Sequence, residues 1–299
     1  VTSEGVVTVL APAKVNLTLH VTGRRADGYH LLDSLVVFAG VHDVLTIAPG
    51  EGLRLEVGGP HGGVLGPMAG DNIILRAARA LAEATGCTAG AHITLHKVLP
   101  VAAGVGGGSA DAAAALLGLC RLWGVSLPEP EMLALAGRMG ADVPVCLRGR
   151  ATTVGGVGEH LSDAPPLPAA WLVLVNPGVP LSTPAVFKAR SGPFSDPAPL
   201  VGAVSDAAAL AAALAARRND LTDAALSLAP EIGVVLAALS ALPGCLLARM
   251  SGSGATCWGL FPTEAEAHAA ARTLHTQHAG WWTAAAPLLA ETNPFTTPH

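Results

Sequence analysis

Between a β-like run and an alanine-rich run, residues 100–111 read Pro-Val-Ala-Ala-Gly-Val-Gly-Gly-Gly-Ser-Ala-Asp, with four glycines and a serine in twelve positions. Upstream, His92 to Val98 mixes β-branched and polar residues as a strand does, and Pro100 ends it. Downstream, Ala112, Ala113, Leu116, Leu119, Cys120 and Trp123 recur at the steps of one helix face, which predicts a helix over 109–123. Glycines at the mouth of a helix let backbone N–H groups approach an anion, and the unpaired amides of the first turn add partial positive charge. The segment is therefore a candidate polyphosphate cradle.

Two familiar phosphate motifs do not fit its spelling. A Walker loop requires a lysine before the hydroxyl residue, and Ser109 follows Gly108. A dinucleotide fingerprint beginning at Gly104 requires glycine at 109 and an acidic residue closing a second strand, and neither is present.

With 299 residues, 51% hydrophobic and 13% charged, the chain can bury one large core or two modest ones. Its net charge of −5, with Arg217-Arg218 the densest late basic spot, argues against a nucleic-acid surface. The most apolar window, 232–248, is interrupted by Pro243-Gly244, so no membrane span is expected. No basic segment leads into an apolar one near residue 1, and the expected location is cytoplasmic. The five cysteines are odd in number, include no Cys-x-x-Cys pair and read as buried hydrophobes. His92 and His96 sit in a strand-like run without the glutamate of a metalloprotease helix, so they are not expected to bind metal.

Alternation of Lys14, Asn16, Thr18 and His20 against Val15, Leu17, Leu19 and Val21 predicts one strand with Lys14 and Asn16 on the same face. A turn at 24–28 leads to an extended run over 29–38, with short strands at 44–47 and 53–57 and a loop over 58–70. Helices are expected over 72–84, 109–123 and 130–139. The stiff Pro165-Pro166-Leu167-Pro168 places a domain boundary, giving domains 1–165 and 166–299. Beyond it, strands are expected at 171–175, 245–250 and 255–261, a loop at 193–199, and helices at 182–189, 205–217, 230–242 and 263–275. That order reads as an α+β layer.

The chain uses lysine only at 14, 97 and 188, against fourteen arginines, so each lysine stands where a compact ammonium is wanted. Asp142, in Gly140-Ala141-Asp142-Val143-Pro144, either caps a short helix or accepts a proton. Phosphoryl transfer to an alcohol requires such an acceptor together with a cation, and Lys14 can be that cation. A third element, Ser251-Gly252-Ser253-Gly254, is either a plain hairpin turn or a close backbone approach to a substrate phosphate.

The strand at Lys14, the glycine cradle and the 250–255 turn, in this order, resemble the three motifs of the GHMP small-molecule kinases. Further segments narrow the resemblance: Arg25-Ala26-Asp27-Gly28-Tyr29-His30, Gly140 to Pro144, Gly155 to Glu159, Asn176 to Val179, Thr183 to Lys188 and Asn219-Asp220-Leu221. They match the branch acting on a cytidine-diphosphate-linked methylerythritol in non-mevalonate isoprenoid precursor synthesis. The resemblance implies a two-domain α+β fold, with an N-terminal domain like domain 2 of ribosomal protein S5 and a ferredoxin-like C-terminal domain. It also implies ATP-dependent phosphorylation of that substrate's 2-hydroxyl, with Mg²⁺ carried on the ATP phosphates. Asp142 then accepts the hydroxyl proton and Lys14 steadies the transferring group. Asn72, Ile73, Lys97, Pro100, Gly104, Gly106, Gly107, Gly108, Ser109 and Ala110 lie at the ATP. Asn16, Tyr29, His30, Thr183, Phe187, Ser253 and Gly254 lie at the small-molecule substrate.

Tyr29, the single tyrosine, and Phe187 offer two flat rings to sandwich a pyrimidine, and His30 offers hydrogen bonds to a cytosine edge. The family pattern often has glycine at 102 and 103 and serine at 110, where this chain has Ala102, Ala103 and Ala110. The rival readings are a kinase of the same fold acting on a mevalonate-type or homoserine alcohol, and a catalytically silent ligand-binding relative.

Overall fold

The structure is a computed structural model that describes residues 5–65 and 72–295. The end of the expected 58–70 loop, residues 66–70, lies outside the described residues. The first half contains β1 (Val7–Asn16), β2 (His20–Arg24), β3 (His30–Pro49), β4 (Leu53–Gly58), α1 (Ile73–Thr85), β5 (Ala91–His96), α2 (Gly107–Trp123), α3 (Glu129–Met139), α4 (Val143–Arg148), β6 (Thr152–Gly156) and β7 (His160–Asp163). The second half contains β8 (Trp171–Asn176), α5 (Thr183–Ala189), α6 (Ala207–Ala215), α7 (Thr222–Leu228), α8 (Glu231–Ser240), β9 (Leu247–Met250), β10 (Cys257–Phe261), α9 (Glu264–Gln277) and β11 (Trp282–Leu289).

The long strand β3 is the spine. Along its length it pairs antiparallel with β2, β6, β1, β11 and β5. Only β4 and β5 run parallel among the described pairs. Strand β11 joins β3 through Leu288 and Leu289 and joins β8 from Trp282 to Pro287, so the sheet continues through β8, β10 and β9.

Alternation along β3 sorts its side chains to two faces. Val36, Phe38, Leu45 and Ile47 pack with β5 and helices α1 to α4 in one core. Leu35, Val37 and Ala39 pack with Leu172, Leu174, Trp258 and α6 in a second. A third core joins the other face of β8 and β10 to α7, α8 and α9. Helix α2 is buried nearly all round by Ala110, Ala112 to Ala115, Leu116 and Leu119. Its alanines and Gly118, against which Ile47 and Val9 rest, let it lie close to the sheet.

Several expectations change. The strand expected to begin at Lys14 starts at Val7 and ends at Asn16, with β2 resuming at His20. Pro12 conceals the early part, and it sits where the β1–β3 register slips at a bulge. Its polar face is buried as well: Lys14, Asn16, Thr18 and His20 are all buried. The runs expected over 29–38 and 44–47 are one strand; Gly40 between them is not a break but the point where the Pro287 ring of β11 crosses. Helix α2 begins at Gly107, two residues before the expected start. Helix α7 and strands β6, β7 and β11 carry no strong period, and sequence pattern does not reveal them; α4 is the short helix that one reading of Asp142 allowed. Strand β11, rich in alanine, forms because β8 and β3 supply partners on both sides.

Candidate active site

The end of β1 delivers Lys14 and Asn16 side by side, and Lys14 Nζ donates to Asn16 Oδ1 at 2.8 Å. A buried chain of bonds fixes that pair. Asn16 Nδ2 donates to Ser34 Oγ at 2.7 Å, and Ser34 Oγ to the Thr18 carbonyl at 2.6 Å. Asn16 N–H donates to Ser251 Oγ at 3.1 Å, and Ser251 Oγ to the Gly104 carbonyl at 3.1 Å. One serine of the β9–β10 turn thus ties the lysine strand to the glycine cradle. Asn219 shapes the same turn by donating to the carbonyls of Met250 and Gly252.

Asp142 occupies the N-cap position of α4, yet its side chain makes no capping bond. Its carboxylate instead reaches Lys14, with Nζ to Oδ2 at 3.1 Å. The partners differ sharply in exposure, 5% for Lys14 and 51% for Asp142. A half-exposed pair adds at most about 1 kcal/mol to stability. The arrangement leaves a carboxylate that is open to the cavity and braced by a buried ammonium.

Two cavities meet at this pair. The smaller, of 490 Å³, runs along the cradle and is lined by Asn72, Ile73, Lys97, Pro100, Gly104, Gly106, Gly107, Gly108 and Ser109. Asn72 also caps α1, its Oδ1 accepting from Ile74 N–H at 2.9 Å. The larger, of 780 Å³, extends between β3 and α5 and is lined by Asn16, Tyr29, His30, Phe187, Lys188 and Arg190, among others. Lys14, Asp142, Ser109, Pro184, Gly252 and Ser253 line both. Thr183 Oγ1 and Ser253 Oγ sit 2.7 Å apart beside the junction.

Most of the expected site residues are brought together here, with two exceptions. Ala110 is buried and faces a separate small cavity beneath α2 rather than the cradle. Gly254 lines neither large cavity; its carbonyl packs under Gly104. The aromatic wall also differs from the expectation of Tyr29 and Phe187 as facing rings. His30 is the ring stacked on Phe187, with centroids 5.0 Å apart and planes at 26°, and Tyr29 stands 66% exposed at the rim. Burial, then Arg24 and Arg190, hold His30 below the usual histidine range, so it presents a neutral imidazole near pH 7. Lys97 is not a free cation: it is buried between Asp43 and Asp111. Sequence reading missed Asp43 and Ser34, because nothing local marks them; Ser251 and Asn219 stood in noted motifs but without the roles seen here.

The family model for the GHMP kinases N terminal domain matches residues 72–150, and the GHMP kinases C terminal model matches 200–279. A 4-diphosphocytidyl-2-C-methyl-D-erythritol kinase of Paramagnetospirillum magneticum is 62% identical over 94% of this chain and 98% of its own length. The chain belongs to the GHMP kinases. The enzyme of the same name from Rhodospirillum rubrum is 58% identical over 94% of this chain and 92% of its own. Among solved structures, a 4-(cytidine 5'-diphospho)-2C-methyl-D-erythritol kinase superposes with TM-score 0.78 at 35% identity, covering 94% of this chain and 99% of that one. A homoserine kinase from Cytophaga hutchinsonii, at 17% identity and TM-score 0.73 over 97% of this chain and 96% of that one, shares the fold. This GHMP kinase therefore has the family's two-domain α+β fold and is a kinase that uses ATP. Among the described residues no helix is long and apolar enough to cross a membrane.

Proposed function

We propose that this GHMP kinase transfers the γ-phosphoryl group of ATP to the 2-hydroxyl of 4-diphosphocytidyl-2-C-methyl-D-erythritol, a step of non-mevalonate isoprenoid precursor synthesis. The observation that carries the reading is the Lys14–Asp142 pair at the junction of a phosphate cradle and an aromatic-walled cavity. The relatives at 62% and 58% identity bear that enzyme's name.

In this reading the ATP phosphates lie on the amides of Gly106 to Ser109 at the start of α2, with Asn72, Ile73 and Pro100 toward the nucleoside. The cytosine packs at the Phe187–His30 wall under Tyr29, and neutral His30 offers the base both a donor and an acceptor. The 2-hydroxyl then arrives at the junction. Its oxygen bonds to the γ-phosphorus as the bond to the β,γ-bridging oxygen breaks, and its proton passes to a carboxylate oxygen of Asp142. Lys14 braces that carboxylate and offsets charge on the transferring group. Thr183, Ser253 and the Gly252 backbone hold the phosphoryl group from the other side.

Mg²⁺ fits this donor set as an ion carried on the phosphates. No cluster of three His, Cys, Asp or Glu among the described residues could hold a metal alone. Mg²⁺ usually keeps several waters, so the ion would be held chiefly by phosphate and water oxygens, with Asp142 reaching it through water and its carboxylate left free to take the proton. The ion would supply charge neutralisation on the phosphates.

We propose the division at 165/166. The first unit supplies Lys14, the cradle and Asp142, and the second supplies Thr183, Phe187 and Ser253. We also place the enzyme in the cytoplasm, where ATP is abundant and its five free cysteines stay reduced. The test is turnover of ATP with the cytidine-linked substrate, with mevalonate and with homoserine, the product identified by phosphorus NMR. Phosphorylation of the cytidine-linked alcohol alone is expected; preference for a free alcohol would overturn the substrate assignment.

A further inference from the structure

Under the cradle lies a buried charge cluster that the mechanism above does not use. Lys97 Nζ, at the end of β5, donates to Asp43 Oδ2 of β3 and to Asp111 Oδ2 of α2, each at 2.6 Å. All three residues are buried. The cluster sits directly beneath the mouth of α2, where a Cβ added at Gly107 would lie 3.1 Å from Lys97 Nζ. Lys97 and Asp111 both line the nucleotide cavity.

The two carboxylates are unequally served. Asp43 Oδ1 accepts the N–H groups of Val98 at 2.6 Å and Leu99 at 2.8 Å, in addition to the Lys97 bond on Oδ2. Asp111 has Lys97 on Oδ2, while its Oδ1 is buried with no partner among the described residues. A buried carboxylate oxygen without a donor is costly, and one ammonium cannot neutralise two carboxylates. A polyphosphate seated above adds further negative charge.

We propose that Asp111 is a positioning residue of the nucleotide cavity that works as an uncharged acid, its carboxylate taking a proton from solvent when ATP seats on the cradle. The inference rests on reading that cavity as the ATP site. One O–H bond forms, a buffer molecule gives up the proton, and no other bond changes. The cluster passes from one net negative charge to neutrality, with Lys97 still bonded to Oδ2.

Burial, reinforced by the neighbouring Asp43 carboxylate and opposed by Lys97, pushes Asp111 up to about 7. Burial also works against the charge on Lys97, but Asp111 and Asp43 outweigh it and raise the lysine, which stays charged. The groups facing Asp111 are Lys97 just past β5, Asp43 from β3 and the Cys146 thiol from α4, with the Lys14–Asp142 pair beyond. Burial raises Cys146 far above its usual range, so that thiol remains protonated. Helix α1 contributes the buried Ile74, Ala77 and Ala78.

The test is titration calorimetry of Mg²⁺-ATP into the full chain without the alcohol substrate, near about pH 8, in buffers of different ionisation enthalpy. The native protein is expected to take up a fraction of a proton, and its Kd for ATP to rise with pH by up to about tenfold per unit. Asp111→Asn, neutral and of the same shape, should take up none and lose that pH dependence. A merely structural Asp111 would shift Kd equally at every pH and leave the proton count unchanged, which overturns the proposal. So does ATP binding by the native protein without buffer-dependent heat, a result that stands even if the variant fails to fold. Failure of the native protein to bind ATP at all would overturn the nucleotide reading itself.

Discussion

Gly106 stands where a side chain would press on Lys14. Its φ is +63°, and an added Cβ would lie 3.0 Å from Lys14 Cβ. Gly106→Ala therefore costs about 1 kcal/mol in backbone strain and pushes the ammonium off Asp142. Turnover is expected to fall roughly 10- to 100-fold with the fold kept, as steady-state kinetics and circular dichroism would show; wild-type turnover would mean the Lys14 position is not critical. At the other end, Phe187→Ala removes the partner of the His30 ring and should raise KM for the cytidine-linked substrate about tenfold, a loss of about 1.4 kcal/mol. A rise confined to KM for ATP would put the ring in the wrong cavity. At this scale the sequence announces residues with unusual chemistry for their neighbourhood: Lys14 among arginines, Asp142 between glycine and proline, and the glycine run. It does not announce Asp43 or Asp111 as partners of Lys97, because they stand 54 and 14 residues away and contact exists only after folding. Nor does it tell that His30, rather than Tyr29, lies on Phe187, since ring order follows from how β3 meets α5.

Short elements do the positioning. Helix α4 is six residues long, begins with Val143-Pro144, and has no period to betray it, yet it fixes the backbone of Asp142 while leaving the carboxylate free. The β9–β10 turn is held from outside by Arg249, whose guanidinium donates to the carbonyls of Leu17, Leu214 and Arg217. Burial lowers Arg249 to about 10, so it is charged at neutral pH. Arg249→Met leaves three carbonyls without their donor and should destabilise the chain by about 3 kcal/mol, read from urea unfolding; a change within about 0.5 kcal/mol would mean water replaces the side chain without cost. The longer helices and the strands around the cradle are legible from spacing within a residue or two, because their burial is one-sided or their ends carry caps. Strands β1 and β11 are not: one is buried on both faces and crossed by Pro12, and the other is mostly alanine and stands on its neighbours' hydrogen bonds.

Across the whole molecule, the β1–β2 region meets the second half through groups that respond to acid. His20 is buried, and its burial, against the pull of Asp220 and Asp33, holds it below the usual range. The unfolded chain then binds the proton more readily, so this contribution is present above about pH 6.5 and is lost as pH falls toward the folded value. Burial opposes the charge on Asp220, but the Ser195 hydroxyl at 2.5 Å, the Val21 N–H at 2.7 Å and Arg218 outweigh it and lower the carboxyl. Its contribution is lost at still lower pH, as the carboxylate takes up a proton. The urea midpoint should therefore fall between about pH 7 and pH 5, and His20→Gln should flatten the upper part of that fall. A midpoint unchanged over this range would remove the region as an acid-sensitive joint. The halves are also sewn together by β11, which runs between β8 and β3 and makes the cleft walls one continuous sheet. In that cleft, the decisive measurement is the pre-steady-state turnover of Asp142→Asn with ATP affinity measured on the same protein. Phosphoryl transfer should drop about 10²- to 10⁴-fold while Kd for ATP stays within a few-fold; transfer at near-native rates would contradict Asp142 as the group that receives the proton.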